Sequence, residues 1–344
     1  MEYIKEININ EAVIHVLDNN SDVPILNEYA LDLNEDMYNI LLKLIKKGLN
    51  DEKLRYALFN DCTGLVMDQT KKYLNGENNL LYISKEIAKE LFSLMRSNGG
   101  IPSCDFITVS FTTEFGPLLG LFKMDYIKNY THSIEIIDNK MSIDVIAQMS
   151  SLSDKVQKIQ KCAFIKAFRE ENTFDLMVID NQSKNKVDEE YGSTYFTSNF
   201  LKCDLVNNER DMTKNFIAAT ERYARTNFRE DASKQEMFRK DVKRQLEEKD
   251  SINVKEFAEN IFEDNGDLEN FNEYMEKYDV AETVAIDKEY IAKKLKKTRL
   301  KIDGGIEIYI DEDAYNDKSQ FEVQRNGDGT INMVIKHISN YIEK

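Results

Sequence analysis

The chain has 344 residues, an apolar fraction of 42% and a formal net charge of -16. A single hydrophobic core rarely organises so long a chain, so two domains are expected. The acidic balance argues against indiscriminate coating of nucleic acid, which depends on neutralisation of phosphates by Lys and Arg. No apolar run approaches the roughly 18 to 20 residues of a bilayer span, and residues 1–20 do not resemble a signal peptide. The sequence therefore predicts a cytoplasmic protein that does not bind membranes.

The residues that usually carry catalysis or metal binding are scarce and dispersed. Single, widely spaced cysteines predict reduced, buried thiols and not disulfides or a zinc site; they are Cys62, Cys104, Cys162 and Cys203. The three histidines lie in strand-like surroundings without a metal-binding spacing; they are His15, His132 and His337. No GxSxG, Walker A or GxGxxG motif is present. The sequence predicts no enzyme and no cofactor.

The first half of the chain begins with helix and strand patterns in alternation. Residues 4–17 and 23–33 favour strands, and Asn34 is suited to cap a helix that closes at Lys46-Lys47-Gly48. Further helices are predicted at 51–59 and from Ser84 to 98. The second of these has an apolar face made by Ile87, Ala88, Leu91, Phe92 and Met95.

From residue 105 the apolar period changes from 3.6 to 2. A hairpin is predicted over 105–124, followed by strands at 133–137, 141–146, 161–168 and 174–179. Because no helix separates most of these strands, they predict an antiparallel sheet and an α+β fold.

The second half of the chain is helical at first and then β-rich. Helical patterns, each with one apolar stripe, cover 208–228, 232–248 and the segment after Asn253. Strand patterns with an Asn326–Gly329 turn follow. The predicted domains are 1–190 and 191–344, the second with a helical segment at about 205–297 and a small β-meander at about 298–338. The polar stretch 181–192 marks this boundary, although it could equally be a long surface loop.

A basic run near the end of the chain is the main candidate binding site. Six cations occur in nine residues without a carboxylate: Lys293, Lys294, Lys296, Lys297, Arg299 and Lys301. Cations in the last turn of a helix also complement its dipole, but one or two suffice for that role. Arg299 and Lys301 are expected to extend the cluster along one face of the following strand, away from Leu300 and Ile302. Phosphate or acidic-protein binding and plain helix stabilisation both remain open. Arg222, Arg225 and Arg229 form a second candidate row, which could instead be a solvated face.

Acidic residues concentrate just before the basic run. Residues 251–292 contain twelve carboxylates and three lysines, which separates charge along the chain. A second acidic segment, 311–322, has Asp311, Asp313, Asp317 and Glu322 at calcium-loop positions. It lacks the turn glycine and the flanking helices, so a solvated connection is favoured over a calcium site.

Four segments carry a resemblance to a known family. They are Ile-His-Val-Leu at 14–17, Lys-Cys-Ala-Phe-Ile-Lys-Ala-Phe at 161–168, Thr-Tyr-Phe-Thr-Ser-Asn-Phe-Leu at 194–201, and Arg-Leu-Lys-Ile-Asp-Gly-Gly-Ile-Glu-Ile-Tyr-Ile at 299–310. In this order, and over nearly the whole length, the chain resembles the bacterial 37-kDa nucleoid-associated protein family of the NdpA or YejK type. The resemblance implies a cytoplasmic protein of the nucleoid that binds DNA or DNA-bound proteins, with no catalytic residues.

Three hypotheses follow. The first is a non-enzymatic nucleoid-associated protein that binds double-stranded DNA, with weak sequence preference, through the basic run and the arginine row. The second is an acidic module that imitates DNA charge and engages a DNA-handling enzyme of the nucleoid. The third is a metal-dependent nuclease or hydrolase, which requires several carboxylates to converge. Self-association into a homo-oligomer is compatible with each of them.

Overall fold

The computed structural model describes residues 2–60, 64–152, 158–181, 195–302, 305–340 and 342. The chain divides into two compact units, Glu2–Val206 and Asn207–Lys344. Cys62, Gly304 and most of the polar stretch 181–192 lie outside the described residues. The sequence-based domain boundary between 190 and 191 falls there, so it stays a prediction.

The first unit combines one large sheet with helices. Its elements, in chain order, are β1 (Asn8–Leu17), α1 (Glu35–Leu49), β2 (Arg55–Phe59), α2 (Leu65–Leu74), α3 (Leu80–Ser97), β3 (Cys104–Thr113), β4 (Gly116–Asp125), β5 (Ile127–Ile137), β6 (Lys140–Ser150), β7 (Lys161–Lys166), β8 (Leu176–Asp180), a π-helix (Phe196–Leu201) and β9 (Cys203–Val206). Seven strands pair in the order β1-β3-β4-β7-β8-β2-β9, and every pair is antiparallel. The predicted α+β class is confirmed.

The two longest helices of this unit follow from their capping residues and apolar faces. The side chain of Asn34 accepts a hydrogen bond from the backbone N–H of Met37 at the start of α1, as predicted. Helix α3 begins earlier than expected, because Asn79 caps it by accepting from Tyr82 N–H. The apolar face predicted for α3 is buried against the sheet; it consists of Ile87, Ala88, Leu91, Phe92 and Met95.

The large sheet is buried on both faces at β7. Ala163 and Ile165 belong to the core that α3 contributes to. The intervening Phe164 lies against α1, where a Cβ atom on Gly48 would come within 2.8 Å of its ring. Burial on both faces explains why this strand is continuously apolar instead of alternating.

Two local predictions in this unit are wrong. Residues 51–59 do not form a helix, because Arg55–Phe59 is strand β2, held between β8 and β9. Residues 23–33 do not form a strand, since only Ile25 bridges to Val16. Strand β2 forms because strands distant in sequence pair with it, whereas residues 23–33 find only the one bridge to β1 among the described residues; local propensity decides neither structure.

Three of the four cysteines confirm the predicted burial. Cys104, Cys162 and Cys203 are free and buried. Burial raises the pKa of Cys104 and of Cys203 to about 12, so neither is a reactive thiolate at neutral pH.

The second unit is a helical bundle followed by two hairpins. Its elements are α4 (Glu209–Asn227), α5 (Ala232–Glu248), β10 (Ser251–Asn253), α6 (Val254–Ile261), α7 (Asn265–Lys277), β11 (Thr283–Ala285), α8 (Lys288–Lys294), β12 (Lys297–Ile302), β13 (Ile306–Asp311), α9 (Glu312–Asn316), β14 (Phe321–Arg325) and β15 (Ile331–Ile335). Across both units, none of the described helices is long and apolar enough to cross a membrane.

The bundle is organised around one tyrosine. The ring of Tyr223 on α4 meets that of Phe271 on α7 edge to face, with centroids 5.0 Å apart. The Tyr223 ring is tilted against that of Phe238 on α5, with centroids 5.9 Å apart. Such edge-to-face pairs add stability beyond the area that they bury. The apolar stripes predicted for α4, α5 and α6 therefore meet in this core.

The predicted β-meander is instead two separate hairpins, β12–β13 and β14–β15. The short helix α9 follows β13 immediately, so β13 and β14 cannot be joined by a tight turn and do not pair. The predicted turn at Asn326–Gly329 is confirmed, with positive φ at Gly327 and Gly329.

Candidate nucleic-acid interface

The basic run is divided between a helix end, a turn and a strand. The side chain of Asp287 caps α8 by accepting a 2.9 Å hydrogen bond from Tyr290 N–H. The helix ends at Lys294, which places Lys293 and Lys294 in its last turn. Lys296 lies in the turn that follows, and β12 begins at Lys297. All six cations are exposed.

The cations of β12 share one face of the strand. Lys297, Arg299 and Lys301 are exposed and alternate with half-buried Thr298, Leu300 and Ile302. The prediction that Arg299 and Lys301 point away from Leu300 and Ile302 is therefore confirmed.

Strand β13 places carboxylates beside these cations. Lys297, Arg299 and Lys301 pair with Asp311, Tyr309 and Glu307, respectively. An Arg299 Nη atom lies 2.8 Å from a Glu307 carboxylate oxygen, and Lys297 Nζ lies 3.6 Å from Asp311. The hydrogen bond to Glu307 raises the pKa of Arg299. These carboxylates partly cancel the positive field of the face.

Only part of the basic run is without an ion-pair partner. Lys293 Nζ is 3.2 Å from Glu289, one turn earlier on α8. Within the part of the chain that the structure describes, Lys294, Lys296 and Lys301 make no ion pair. We call these three residues the unpaired basic patch.

The arginine row is engaged at two of its three positions. The guanidinium of Arg222 lies 4.5 Å from the ring centroid of Tyr278, and its hydrogen bond lowers the pKa of Tyr278. Arg225 Nε is 2.7 Å from Glu221, a carboxylate that also binds Arg239. Burial opposes ionisation of Glu221, but hydrogen bonds from Arg239 and Arg225 prevail and lower its pKa.

Arg229 lies beyond the end of α4 and is exposed, and it has no ion pair among the described residues. The three arginines therefore do not form one uncompensated row on a helix.

The acidic segment 251–292 forms an exposed surface on α6, α7 and their flanking turns. Asp287 is used as a buried helix cap, and Glu282 and Glu289 bind Lys255 and Lys293. Asp264 caps α7 by accepting from the backbone N–H groups of Gly266 and Asp267. The other eight carboxylates are exposed and make no ion pair with another described residue. They are Glu256, Glu259, Glu263, Asp267, Glu269, Glu273, Glu276 and Asp279.

The second acidic segment, 311–322, is occupied by local contacts. Asp317 accepts from Ser319 N–H and Gln320 Nε2, which lowers its pKa. Glu322 binds Lys336 across hairpin β14–β15. Nowhere in the described ranges do three His, Cys, Asp or Glu side chains group closely enough to hold a metal ion.

The residues that the sequence analysis did not identify are the partners on β13. Glu307 and Asp311 were visible as acidic residues, and their alternation with Ile308 and Ile310 indicated an exposed face. The register that brings them to Arg299 and Lys297 is not visible in the sequence, because it depends on the turn between the strands.

Comparison with known proteins bears on the whole chain. No curated protein sequence matches it. The profile of the family described as nucleoid-associated protein YejK matches residues 13–343, which is nearly the full length. The succession of elements described above spans the same range, and the chain therefore belongs to the family of the nucleoid-associated protein YejK.

Proposed function

We propose that this protein acts in the nucleoid by binding double-stranded DNA, with its phosphate contacts made by the unpaired basic patch. Membership of a nucleoid-associated family carries the proposal. The three lysines support it because they are exposed, lie within eight residues of sequence and lack a carboxylate partner among the described residues. The role is one of binding, not catalysis, in the cytoplasmic nucleoid.

The neighbouring cations contribute less in this proposal. Lys293, Lys297 and Arg299 each have a carboxylate within 4 Å, which a phosphate would have to displace. Phosphate contacts position a protein without reading bases. The proposal therefore predicts weak sequence preference.

Salt dependence tests this proposal quantitatively. Each lysine that neutralises a phosphate adds about 0.9 to the slope of log affinity against log salt concentration. The variant Lys294→Gln/Lys296→Gln/Lys301→Gln should reduce the slope by roughly 3, measured by fluorescence anisotropy on duplex DNA. An unchanged slope would refute the patch as the DNA-binding site.

A matched control variant loses the same net charge at a different place on the protein. The variant Lys43→Gln/Lys53→Gln/Lys71→Gln removes three exposed lysines from the first unit. It should keep the wild-type slope. A loss of slope equal to that of the patch variant would mean that overall charge, and not the patch, controls binding.

The exposed acidic surface favours a second candidate function. Eight carboxylates without described ion pairs outnumber the three lysines of the patch, and seven of the eight lie within residues 256–276. Such a surface has the charge of a nucleic-acid backbone and could occupy the basic groove of a DNA-handling enzyme.

The two functions differ in their response to nuclease and to substitution. A partner bound through the acidic surface should be recovered from nuclease-treated lysate and lost with Glu269→Gln/Glu273→Gln/Glu276→Gln. A partner held by DNA should disappear after nuclease treatment and depend on the unpaired basic patch instead.

A further inference from the structure

Strands β5 and β6 form a long hairpin that connects two neighbouring strands of the large sheet, β4 and β7. Each strand has 11 residues, and the two pair only with each other among the described strands. At about 3.3 Å per residue the hairpin is roughly 35 Å long. None of its strand residues is buried. We call it the arm.

The arm is fixed at its base. The hydroxyl of Tyr126, one residue before β5, donates a 2.8 Å hydrogen bond to Asp105 on β3. The hydroxyl of Ser151, one residue after β6, donates to the other carboxylate oxygen of Asp105. At the tip, Asp138 and Asn139 both have positive φ, which is the geometry of a tight hairpin turn. The arm is therefore an ordered hairpin with an anchored base and a defined register.

The two faces of the arm differ in chemistry. On one face, which we call the polar face, the register puts Ser133 opposite Asp144 and Glu135 opposite Ser142. This face also carries three exposed isoleucines, Ile127, Ile137 and Ile146. The other face is apolar through its outer half. Its pairs there are His132 with Val145, Ile134 with Ile143, and Ile136 with Met141.

This alternation is the pattern of a sheet with one buried face, but no described residue buries the apolar face. Its seven large apolar residues are each 56% to 76% exposed. From ordinary side-chain sizes they expose on the order of 900 Å², more than the 300 to 600 Å² of the largest patch on a typical monomer. An isolated two-stranded ribbon is also marginally stable in water. A partner is therefore expected on this face.

The size and charge of the face identify the partner. A standard protein interface takes about 800 Å² from each side, which is close to what one arm offers. The only ionisable groups on the face are Lys128, near the base, His132 and the phenol of Tyr130. The single formal cation gives little attraction for phosphates. In a two-fold contact between antiparallel arms, the two Lys128 side chains lie at opposite ends, so like charges do not meet.

We propose that the apolar face of the arm is the contact surface for a second copy of this chain, in a two-fold symmetric dimer. This inference is independent of DNA binding. Its occupant is another arm, and its interface contains the pairs Ile134–Ile143 and Ile136–Met141 of both copies.

The test compares matched charges on the two faces of the arm. The variant Ile134→Lys/Ile143→Glu places an opposite-charge pair on the apolar face, where it preserves cross-strand pairing but opposes burial. The variant Ser133→Lys/Asp144→Glu places the same pair on the polar face, one residue away. Sedimentation velocity of the full chain should show a wild-type dimer at twice 40.1 kDa. The apolar-face variant should raise the dimer dissociation constant about 100-fold, and the polar-face variant less than about threefold.

A deletion variant distinguishes loss of the dimer interface from misfolding of the arm. Replacement of residues 128–149 by a short Gly-Ser linker should give a monomer whose thermal midpoint stays within a few degrees of wild type, because the arm contributes nothing to the buried core. A monomeric wild type at tens of micromolar, or a dimer that survives in both apolar-face and deletion variants, would overturn the proposal. Binding of a monomeric wild type to phosphatidylcholine vesicles, lost with Ile134→Lys/Ile143→Glu, would overturn it in favour of a lipid surface.

Discussion

An Arg299 Nη atom lies 2.8 Å from a carboxylate oxygen of Glu307 on the adjacent strand of the hairpin β12–β13. Arg299 also lies 5.3 Å from the ring centroid of Tyr309, its direct cross-strand neighbour. Arg299, which extends the basic run into the middle of β12, is therefore held by its own hairpin. Fewer cations of the basic run are therefore available to a ligand than the sequence contains.

Removal of the β13 carboxylates should strengthen DNA binding. In Glu307→Gln/Asp311→Asn, Arg299 and Lys297 lose their ion-pair partners and become available to phosphates. We expect the salt slope of duplex binding to steepen by up to about 1.8, or 0.9 for each released cation. Titration by fluorescence anisotropy at several salt concentrations measures this slope.

The control changes the same net charge elsewhere. Glu28→Gln/Asp32→Asn removes two exposed carboxylates from the first unit and should leave the slope as in wild type. If both variants steepen the slope equally, the ion pairs on the hairpin do not restrain DNA binding.

This hairpin shows how far the sequence could predict the site. Alternation with period two is a local property, and it correctly placed Arg299 and Lys301 on one exposed face. The identity of the opposing residues depends on register, and register depends on a turn whose conformation the sequence alone did not specify. The exposure of these cations was therefore predicted correctly, but the partial neutralisation of their charge by Glu307 and Asp311 was not.

The fold shows the same division between local and distant causes. The apolar stripe around Tyr223 predicted the burial of α4 because helical spacing brings those residues to one face. The strand at Arg55–Phe59 was missed because its hydrogen bonds go to β8 and β9, more than a hundred residues away. The hairpin of β5 and β6 was predicted with shorter strands, because Lys128, Asn129 and Gln148 interrupt the apolar pattern in the half nearest its base.

Stability should depend on pH through His15. Its ring is buried; Nδ1 accepts a 3.0 Å hydrogen bond from Asn27 N–H, and Nε2 lies 3.0 Å from the hydroxyl of Ser84. Burial, assisted by Lys85, lowers the pKa of His15 from 6.5 to about 4. The unfolded chain therefore binds a proton between pH 6.5 and 4 while the folded chain does not. The contribution of neutral His15 to the free energy of unfolding is therefore fully present above pH 6.5, and it is lost as pH decreases through this range.

The variant His15→Asn should remove this contribution while its amide oxygen replaces the Nδ1 acceptor. Between pH 7 and pH 4, wild type should lose about 3 kcal/mol of unfolding free energy more than the variant does. Urea unfolding at a series of pH values gives this difference directly, and the carboxylates common to both proteins cancel. Parallel pH profiles would show that His15 is not the responsible group.

The two units should unfold as separate domains. Tyr223 is central to the core of the second unit, and Phe164 makes edge-to-face contacts with Phe111 and Phe122 in the first. Truncation of a buried aromatic residue to Ala costs about 3 to 5 kcal/mol. Differential scanning calorimetry of Tyr223→Ala should lower one transition, and Phe164→Ala should lower the other. If both variants lower the midpoint of one common transition, the two units do not unfold independently and this prediction is wrong.

Close packing at Gly120 should make the large sheet intolerant of one added methyl group. Gly120 lies in β4, where a Cβ atom would come within 2.9 Å of Val109 Cγ1 on β3 and within 3.3 Å of the Phe111 ring. Since β4 is paired on both sides, by β3 and β7, its backbone has little room to move. Gly120→Ala should therefore destabilise the protein by about 1 to 3 kcal/mol in urea unfolding.

Gly99→Ala is the control, because a Cβ there meets nothing within 4 Å, and its effect should stay within about 0.5 kcal/mol of neutral or be slightly stabilising. In Gly120→Ala/Val109→Ala the loss should be smaller than the sum of the two single variants, since removal of Cγ1 relieves the contact. Additive losses would show that Val109 does not impose the requirement for glycine.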